Sequence, residues 1–354
     1  MKKKILVAMS GGVDSSVAAL LLKNSGCDVA GVTMCLQQAV SRFDDGPCGP
    51  NRSAEDARHV CRHLGISHFA VDFSAHLQEY VIDSFIAEYR RGRTPNPCVQ
   101  CNRLVKFGLL LDKAAELGFD MLATGHYAAT MRHNGRTVLR KAKDTCKDQS
   151  YFLYAVSNDA LERIVFPLGD YTKDATRRLA RDAALPVAEK QDSQDICFIP
   201  GGNYREFLLQ HARDIQPGDI VDLSGKKIGV HKGIAFYTIG QRGGLGIAAP
   251  EPLYVIAIDA ENNRIIAGSK KHVRSRQLRA NNPIMHYTSF PDRALAKIRY
   301  AHKPAPCSFS VSGDSLHIVF DESQDAITPG QSVVLYDEDR VIGGGIINEV
   351  LHED

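Results

Sequence analysis

The chain has 354 residues, a formal net charge of +2, and 44% apolar and 24% charged residues. This is an ordinary globular composition with enough length for two or three domains, each able to bury a core. The balanced charge does not indicate a nucleic-acid binder by itself, and no segment approaches the ~20 apolar residues of a membrane helix.

The opening residues and the cysteine count point to a cellular location. The start, MKKKILVAMSGG, has a basic tip, but its apolar stretch is too short for a secretory leader. Nine cysteines, an odd number, argue against a disulfide framework and for thiols that are inert, catalytic or metal-bound. We therefore expect a cytoplasmic protein with no membrane partner.

The first part of the chain alternates strand and helix patterns. Residues 4–9 (KILVAM) are a continuous apolar run, typical of a buried parallel strand. Further strands are predicted at DVAGVTM, HFAVDF and DMLATGHY, with helices at VAALLLKNSG, AEDARHVCRHLG and VKFGLLLDKAAELG. SYFLYAV and TKDATRRLARDAAL continue the pattern. The alternation predicts a parallel sheet covered on both faces.

After Arg213 the helical periodicity ends. PLYVIAIDAENNRIIAGS and SFSVSGDSLHIVFDE alternate apolar and polar residues around turn residues, which indicates hairpins. We predict an α/β domain over residues 1–205, a small mixed domain over 206–275 and a β-barrel over 276–354. A basic stretch, KKHVRSRQLR at 270–279, lies near the second boundary.

A turn rich in glycine and serine, residues 10–16 (SGGVDSS), joins the first predicted strand to the first helix. There, backbone N–H groups, serine hydroxyls and the helix N-terminus can hold an anion. Asp14 can cap the helix or orient a Mg²⁺ ion. The turn lacks the Gly-Lys-Ser/Thr ending of a Walker A loop, and adjacent glycines also occur in ordinary tight turns. The whole pattern after a buried strand favours a nucleotide site.

This turn resembles the signature of the PP-loop ATP pyrophosphatases. The resemblance implies that the loop binds the phosphates of ATP and that a substrate is adenylated, with release of pyrophosphate. It does not identify the substrate.

Two cysteine segments follow, TPNPCVQCNR at 94–103 and DSQDICFI at 192–199. Two prolines hold the approach to the first segment extended, and a helix follows it. The helix N-terminus and Arg103 are expected to lower a thiol pKa there. A lone cysteine beside Ile and Phe is more often a buried apolar residue than a nucleophile, so Cys197 needs further support.

Together the two segments resemble those of the bacterial tRNA-specific 2-thiouridylases. Further matches to that family cover almost the whole chain: ATGHYA at 123–128, KDQSYFL at 147–153, GVHKGIAFYTIGQRGGLGI at 229–247, PLYV at 252–255, IRYAHKP at 298–304 and ITPGQSVVLYDEDRVIGGGII at 327–347. The resemblance implies a PP-loop (adenine nucleotide α-hydrolase-like) domain with a parallel sheet, a small central domain and a C-terminal β-barrel that contacts tRNA.

The resemblance also implies the reaction, which is ATP-dependent 2-thiolation of the wobble uridine of tRNA. The C2 oxygen of uridine leaves only after it is adenylated, and the sulfur comes from a cysteine persulfide. By resemblance, Cys197 carries the persulfide. Cys101 attacks it to liberate sulfur or to resolve the intermediate as a Cys101–Cys197 disulfide.

Binding positions follow from the same resemblance. ATP is expected at Ala8, Met9, Ser10, Gly11, Gly12, Val13, Asp14, Ser15, Met34 and Gly125. Contact with tRNA is expected at Asn96, Pro97, Cys98, His126, Lys147, Asp148, Gln149, Arg299, Tyr300 and Gln331. Several of these also have ordinary interpretations as local hydrogen bonders, turn residues or outward side chains. We expect the basic stretch at 270–279 to meet the phosphate backbone.

Cys98 departs from the family pattern, in which many members have an aspartate regarded as the acid/base near the target base. It creates Cys98-x-x-Cys101, which with Cys197 gives three thiolates. Such a set can hold a [4Fe–4S] cluster, while a CxxC pair can also be a redox dithiol or half of a zinc site. Of these roles for the cysteines, we rank persulfide chemistry in which Cys98 takes no part first, the iron–sulfur cluster second and a zinc site last. The other cysteines show no partner spacing and are expected to be inert: Cys27, Cys35, Cys48, Cys61, Cys146 and Cys307.

Two other functions compete with the thiolase. A PP-loop amide-forming ligase needs no thiol pair and no RNA-facing barrel, so it keeps its activity when Cys101 and Cys197 are changed to serine. A redox or metal-cluster protein with a nucleotide-sensing loop consumes ATP without changing tRNA. The family implies the Lys, Glu and Gln tRNAs as partners, Mg²⁺ with ATP, and a cysteine desulfurase or relay protein as sulfur donor. The composition of the loop at 187–203 permits motion.

Overall fold

The computed structural model describes residues 2–36, 52–192, 196–212 and 214–351. Its α-helices are α1 (Val13–Asn24), α2 (Arg52–Leu64), α3 (Ser74–Leu77), α4 (Asp83–Arg90), α5 (Pro97–Gln100), α6 (Leu110–Glu116), α7 (Ser150–Leu153), α8 (Asn158–Leu161), α9 (Lys173–Asp182) and α10 (Tyr204–His211). Two stretches are π-helical, Gln78–Ile82 and Cys101–Leu109, and three are short 3₁₀ turns, Pro200–Gly202, Ile234–Phe236 and Lys270–Val273.

The strands in chain order are β1 (Lys4–Ala8), β2 (Asp28–Cys35), β3 (Ser67–Asp72), β4 (Met121–Thr124), β5 (Ala129–His133), β6 (Arg136–Arg140), β7 (Ile164–Val165), β8 (Gly218–Val221), β9 (Lys227–His231), β10 (Tyr254–Asp259), β11 (Arg264–Gly268), β12 (Arg274–Met285), β13 (Arg293–Lys297), β14 (Ala305–Ser312), β15 (Ser315–Asp325), β16 (Ser332–Asp337) and β17 (Arg340–Leu351). None of the described helices is long and apolar enough to cross a membrane.

The chain divides into two compact units, and neither is continuous in sequence. The first unit contains Met1–Val81, Cys98–Phe198 and Asp339–Val341, and the second contains Ile82–Pro97, Ile199–Glu338 and Ile342–Asp354. The assignment of residues 82–97 to the second unit does not follow from the sequence pattern. The predicted boundaries near residues 205 and 275 stay predictions.

The first unit is built on a five-stranded parallel sheet in the order β3-β2-β1-β4-β7. Its central strand, β1, is buried at Ile5, Leu6 and Val7, as its continuous apolar run predicts. The helices cover it with one apolar face each; in α2 the buried residues recur at helical spacing from Ala54 to Leu64. The predicted α/β domain with a parallel sheet is therefore confirmed.

Two elements of the first unit differ from the sequence pattern. SYFLYAV starts as the short helix α7 and is not a strand. An antiparallel hairpin, β5 with β6, follows the fourth strand of the sheet although no alternating pattern marks it. Its turn uses Asn134 and Gly135, both at positive φ, and Asn-Gly is a strong hairpin signal.

The second unit contains two sheets. A four-stranded mixed sheet runs β10-β11-β8-β9, with β11 and β8 parallel and the outer pairs antiparallel. Six strands in the order β12-β15-β14-β13-β16-β17 close into a barrel through the pairing of β12 with β17. The barrel surrounds a core that includes Leu278, Ile318, Phe320 and Leu335. The predicted small mixed domain and C-terminal β-barrel are confirmed, as are the hairpins β10–β11 and β14–β15.

Candidate active site

The site in the first unit lies where the strand order reverses. β1 pairs with β2 on one side and β4 on the other, and Ala8 lies opposite Thr124 at their carboxyl ends. The connections after the two strands therefore diverge to opposite faces and leave a crevice between them. Open α/β sheets bind ligands in such a crevice, outside the carboxyl ends of the strands.

The loop after β1 is closed by its own serines. The backbone N–H of Ser10 donates to Ser15 Oγ at 3.2 Å, and the two hydroxyl oxygens are 3.3 Å apart. Ser16 Oγ donates to the carbonyl of Gly12 at 2.7 Å. Gly12 is the N-cap of α1 and no side chain caps it, so the first N–H groups of this helix are available to an anion.

Two glycines let backbone segments approach closely. Gly11 has φ +68°, and a Cβ there would lie 2.2 Å from the carbonyl oxygen of Ser53. Gly125 follows β4, and a Cβ on it would lie 2.5 Å from the backbone nitrogen of Ser15. The predicted ATP positions from Ala8 to Ser15 and Gly125 thus converge at one point. Met34 lies near the carboxyl end of the neighbouring strand β2.

The carboxylate of Asp14 is held by two side chains. Lys173 Nζ lies 2.8 Å from both of its oxygens, and the Tyr127 hydroxyl donates to Oδ1 at 3.0 Å. On the other side of the loop, Lys190 Nζ donates to the carbonyl of Gly11 at 2.9 Å and pairs with Asp56 at 2.6 Å. Lysines thus reach the phosphate loop from two directions, which suits a polyphosphate.

Asp14 also has the chemistry to hold Mg²⁺. This ion is usually bound by one or two carboxylates together with substrate phosphates, not by a cage of protein ligands. The single carboxylate of Asp14 beside an anion-binding loop matches this mode of binding. Lys173 would have to move off the Asp14 oxygens for Mg²⁺ to bind there.

The three thiols of interest differ in exposure. Cys101 begins the π-helical stretch Cys101–Leu109 and is 5% exposed, whereas Cys98 and Cys197 are exposed. Cys197 experiences the charges of both Cys98 and Cys101, so the three sulfurs share one electrostatic environment. The exposed thiol of Cys197 can react with a partner from solution, whereas the buried thiol of Cys101 suits a reaction inside the protein.

Burial raises the pKa of all three thiols, although enough surface remains around Cys98 and Cys197 to leave them accessible. The pKa of Cys197 rises to about 11 through desolvation and the repulsion of Cys101 and Cys98, while Lys106 opposes the shift. Desolvation likewise outweighs Lys106 at Cys98 and Cys101. The expected lowering of a thiol pKa by the helix N-terminus and Arg103 is therefore wrong, because Cys101 is buried within a helical run that α5 begins four residues earlier.

This electrostatic environment predicts the pH dependence of Cys197 reactivity. Since the thiolate is the reactive form and the pKa is raised, the rate of alkylation should climb about tenfold per pH unit between pH 7 and pH 9. Mass spectrometry of the peptide that contains Cys197, after timed treatment with N-ethylmaleimide, measures this rate. An ordinary cysteine levels off near pH 8.5, so a plateau at or below that pH would contradict the prediction.

A metal cluster does not fit the thiols as they are placed. Among the described residues, which include all three cysteines, no group of three or more His, Cys, Asp or Glu side chains can hold a metal ion. The donor chemistry suits iron and sulfur, but the arrangement does not form a ligand set. Of the six other cysteines, Cys35 is disulfide-bonded and so is not the free inert thiol that was expected. Cys48 lies outside the described residues.

His126 lies in an apolar surrounding at the end of β4. Its ring packs against Phe107 and Phe166, with centroid distances of 5.9 and 6.3 Å. Desolvation and the charge of Lys106 hold its pKa well below the usual range, so the ring is neutral. Thr124 Oγ1 accepts the backbone N–H of His126 at 3.4 Å and lies 2.8 Å from Nδ1 of the ring.

The predicted tRNA positions at 147–149 have internal partners. Asp148 is buried and accepts hydrogen bonds from the backbone N–H of Ala142 and from the hydroxyl of Ser150, at 2.9 and 2.7 Å. Gln149 Oε1 accepts the backbone N–H of Tyr127 at 2.9 Å. Lys147 Nζ pairs with Asp192 at 3.0 Å. These contacts organise the loop beside the phosphate site.

In the second unit, the predicted positions from the barrel also have internal contacts. The Arg299 guanidinium donates to the carbonyls of Ile239 and Ala326, at 3.1 and 3.0 Å, and to the hydroxyl of Thr328. Tyr300 is exposed, with Lys297 Nζ 5.2 Å from its ring centroid. Tyr300 is thus the more accessible member of the pair.

Gln331 holds the extended segment that leads to the first cysteine motif. Its amide nitrogen donates to the carbonyl of Thr94 at 2.8 Å, and a Cβ on Gly330 would lie 2.9 Å from the same residue. Asn96 is half-buried, and Pro97 is buried and begins α5. The Gln331 amide therefore supports the backbone on which Asn96 and Pro97 lie.

The basic stretch at 270–279 is partly neutralised. Arg274 pairs with Asp325 at 3.1 Å, and Arg279 pairs with Glu349 at 3.1 Å, both on neighbouring barrel strands. Exposed pairs of this kind are worth ~0–1 kcal/mol each and can exchange partners. The proposal that the stretch meets phosphate backbone stays a prediction.

Sequence reasoning did not assign a role to Lys173, Tyr127 or Lys190. Lys173 is the first residue of α9, after the N-cap Thr172. From its sequence pattern it would be predicted to lie on the surface of an amphipathic helix. Only the tertiary packing of α9 against α1 brings it to Asp14. No sequence signal besides its place at a helix start distinguishes it.

Three family models match the chain: a tRNA methyl transferase HUP domain at residues 3–201, a tRNA methyl transferase PRC-barrel domain at 205–269 and an aminomethyltransferase beta-barrel domain at 275–347. The chain is 52% identical to the tRNA-specific 2-thiouridylase MnmA 1 of Syntrophus aciditrophicus, covering 99% of this chain and 94% of that protein. It is 49% identical to the tRNA-specific 2-thiouridylase MnmA of Syntrophotalea carbinolica, covering 98% of both. A predicted subunit of tRNA methyltransferase from Methanocaldococcus jannaschii has a TM-score of 0.33 at 21% identity, covering 51% of this chain and 76% of that one, which carries no argument.

Proposed function

This chain belongs to the tRNA-specific 2-thiouridylase family, and on that premise we propose that it replaces the 2-oxygen of the wobble uridine of tRNA with sulfur in the cytoplasm. The observation that carries the proposal is the coexistence, in one unit, of a phosphate loop at the strand-order reversal and a pair of thiols of unequal exposure. The first part suits adenylation and the second suits sulfur transfer.

The phosphate loop supports the adenylation step. ATP phosphates lie against the N–H groups at the start of α1, with the hydroxyls of Ser10 and Ser15 beside them. The uridine O2 attacks the α-phosphorus, and pyrophosphate leaves. Mg²⁺ on Asp14, when bound, neutralises the phosphate charge. Gly125 allows the backbone after β4 to lie close to the loop because it has no side chain.

The exposure of the thiols supports the sulfur step. Exposed Cys197 accepts a sulfane sulfur from a cysteine desulfurase or relay protein and becomes a persulfide. The thiolate of Cys101 then attacks Cys197 Sγ, which releases hydrosulfide and forms a Cys101–Cys197 disulfide. The hydrosulfide attacks C2 of the adenylated uridine, and AMP leaves. An external dithiol then supplies two electrons to restore both thiols.

The tRNA contacts are proposed at the positions that the family pattern assigns. His126, a neutral imidazole with one ring N–H, suits a hydrogen bond to the uracil in an apolar surrounding. Tyr300 suits stacking or hydrogen bonding because it is exposed in the turn after β13. Lys147, Asp148, Gln149, Arg299 and Gln331 act chiefly by holding loops in shape, since their described contacts are internal. The Lys, Glu and Gln tRNAs are the proposed substrates.

The deciding experiment is an anaerobic thiolation assay with unmodified tRNA, ATP, Mg²⁺ and either sulfide or a desulfurase, run with iron analysis of the same protein. We expect iron-free protein to form 2-thiouridine, detected by mass spectrometry of the nucleosides. The Cys98→Ser variant should keep more than about half of the activity, as a residue that makes no bond in the reaction.

Other outcomes would replace the proposal. Activity that needs bound iron and falls with Cys98→Ser would favour a [4Fe–4S] cluster on Cys98, Cys101 and Cys197. ATP consumption with an amine acceptor and no effect of Cys101→Ser would favour an amide-forming ligase. ATP consumption with no change in tRNA would favour a redox or sensor protein.

A further inference from the structure

Lys173 lies buried beside the phosphate loop, and no other lysine or arginine in the described part of the chain is buried. Its Nζ lies 2.8 Å from both carboxylate oxygens of Asp14 and 2.7 Å from Asp192 Oδ1. An ammonium group has three N–H donors, so each donor has one carboxylate oxygen. Lysines are rarely buried unless they are paired. The acidic partners therefore hold this positive charge in one place.

Two of the three donors point at the start of α1. Asp14 is the second residue of that helix, whose first N–H groups have no side-chain cap. Anions bind at such a helix end. Phosphate oxygens accept charge-assisted hydrogen bonds from an ammonium group as carboxylate oxygens do. The two donors on Asp14 can therefore be transferred to phosphate oxygens held at the same helix end.

The third donor has a fixed acceptor. Asp192 also accepts Lys147 Nζ at 3.0 Å and Arg177 Nη2 at 2.7 Å, so its carboxylate is held independently of Lys173. Desolvation on its own raises the pKa of Asp192, but hydrogen bonds and attraction from Lys173 and Lys147 outweigh it and bring the pKa to about 2. Asp192 therefore stays ionised and keeps Lys173 in place while the other two donors change partners.

Lys190, the other lysine at the loop, is bound differently. Its Nζ donates to the backbone carbonyl of Gly11 at 2.9 Å and pairs with Asp56 at 2.6 Å. The first of these contacts fixes the shape of the loop itself, so Lys190 cannot leave it without releasing the backbone. All three contacts of Lys173 are to side-chain carboxylates. Of the two lysines, Lys173 is therefore the one that can pass to a ligand.

We propose that Lys173 is a catalytic residue of the adenylation step, which binds the β- and γ-phosphates of ATP and stabilises the pyrophosphate as it leaves. The proposal rests on the proposed function in taking ATP as the ligand of the loop. Metal ions on nucleoside triphosphates bridge β- and γ-phosphate oxygens. A lysine that shares Asp14 with such an ion lies beside the same two phosphates.

The positive charge of Lys173 then acts on the bond that breaks. As the uridine O2 bonds to the α-phosphorus, the bond from that phosphorus to the bridging oxygen breaks, and the bridging oxygen takes the electron pair into pyrophosphate. Negative charge grows on the phosphates that Lys173 contacts. A charge that is already in position stabilises this change without reorganisation, which is the usual source of electrostatic catalysis.

The test compares the affinities of the full-length protein for ATP and for AMP, measured by isothermal titration with Mg²⁺ and without tRNA. In Lys173→Met we expect the Kd for ATP to rise about thirtyfold or more, because charge-assisted hydrogen bonds to the β- and γ-phosphates are lost. The Kd for AMP, which lacks those phosphates, should change by less than about threefold. With tRNA and saturating ATP, pyrophosphate release should fall by about a hundredfold or more.

Three further variants separate the charge of Lys173 from its effect on folding. Lys173→Met combined with Asp192→Asn removes one charge of each sign and should show the same selective loss of ATP affinity. Lys173→Arg keeps the charge and should bind ATP within about tenfold of normal. Lys113→Met is the control, because Lys113 pairs with Glu116 on the exposed side of α6. It should leave both affinities within about twofold of normal, as surface substitutions usually do.

Two results would overturn the assignment of Lys173 and leave the proposed function standing. The first is a Lys173→Met protein that binds ATP as the unaltered protein does. The second is an equal loss of ATP and AMP affinity in Lys173→Met and in the double variant, which would mean that the lysine only maintains the loop. An unaltered protein that binds neither nucleotide would overturn both this assignment and the proposed function.

Discussion

With a cysteine desulfurase as the sulfur donor, a Cys197→Ser protein should release pyrophosphate in the presence of tRNA and yet produce no 2-thiouridine. A serine hydroxyl cannot carry a sulfane sulfur, so the rate of thiolation should fall by more than about a thousandfold. Affinity for ATP should not change, because Cys197 is not part of the phosphate loop. Nucleoside mass spectrometry measures the first effect, and pyrophosphate release measures the second.

Cys146→Ser is the control for this experiment, because Cys146 is another exposed cysteine of the same unit. It should leave both measurements within about twofold of the unaltered protein, as surface substitutions usually do. Substantial thiouridine from Cys197→Ser would mean that the sulfur does not pass through this thiol. Equal losses in both variants would point to general damage.

Gly125→Ala should weaken nucleotide binding strongly, because the added methyl group meets the backbone of the phosphate loop. The new Cβ would lie 2.5 Å from the nitrogen of Ser15 and 2.7 Å from the carbonyl carbon of Asp14, both of them backbone atoms of the phosphate loop. Overpacking of this kind costs ~1–3 kcal/mol, and displacement of the loop should weaken ATP binding about ten- to hundredfold. Isothermal titration with ATP and Mg²⁺ measures the affinity.

Gly243→Ala provides the comparison, since a Cβ at Gly243 meets no atom within 4 Å and needs no unusual backbone angle. It should bind ATP normally. If Gly125→Ala also bound ATP within about twofold of normal, the loop would be able to move aside at little cost. The close approach of Gly125 would then have no functional meaning.

The sequence predicted the elements whose physics is local. The apolar run of β1 and the amphipathic spacing of α2 depend on residues near one another in the chain. The glycines of the phosphate loop are of the same kind: Gly11 has the positive φ that only glycine adopts readily. The long ordered set of family motifs then supplied the barrel, which β-strand alternation supports more weakly.

What the sequence could not provide depends on distant packing. Lys173 lies 159 residues from Asp14 along the chain, and nothing near it in sequence marks it as a partner of the phosphate loop. The thiol pKa at Cys101 was predicted in the wrong direction because burial, which is a tertiary property, outweighs a helix end and a nearby cation. Likewise, the sequence around Gln331 predicts only a turn residue, and it does not show that the Gln331 amide donates a hydrogen bond to the carbonyl of Thr94.

The interleaved course of the chain has a consequence for biosynthesis. Asp339–Val341 belongs to the first unit, and Ile82–Pro97 belongs to the second. During translation, the early residues of the second unit emerge long before their partners, and the first unit lacks its last segment until residue 341 has left the ribosome. Domains that are continuous in sequence commonly fold in order from the N-terminus. Neither unit of this protein can be completed until these late segments have been made, so folding in simple order from the N-terminus is not open to it.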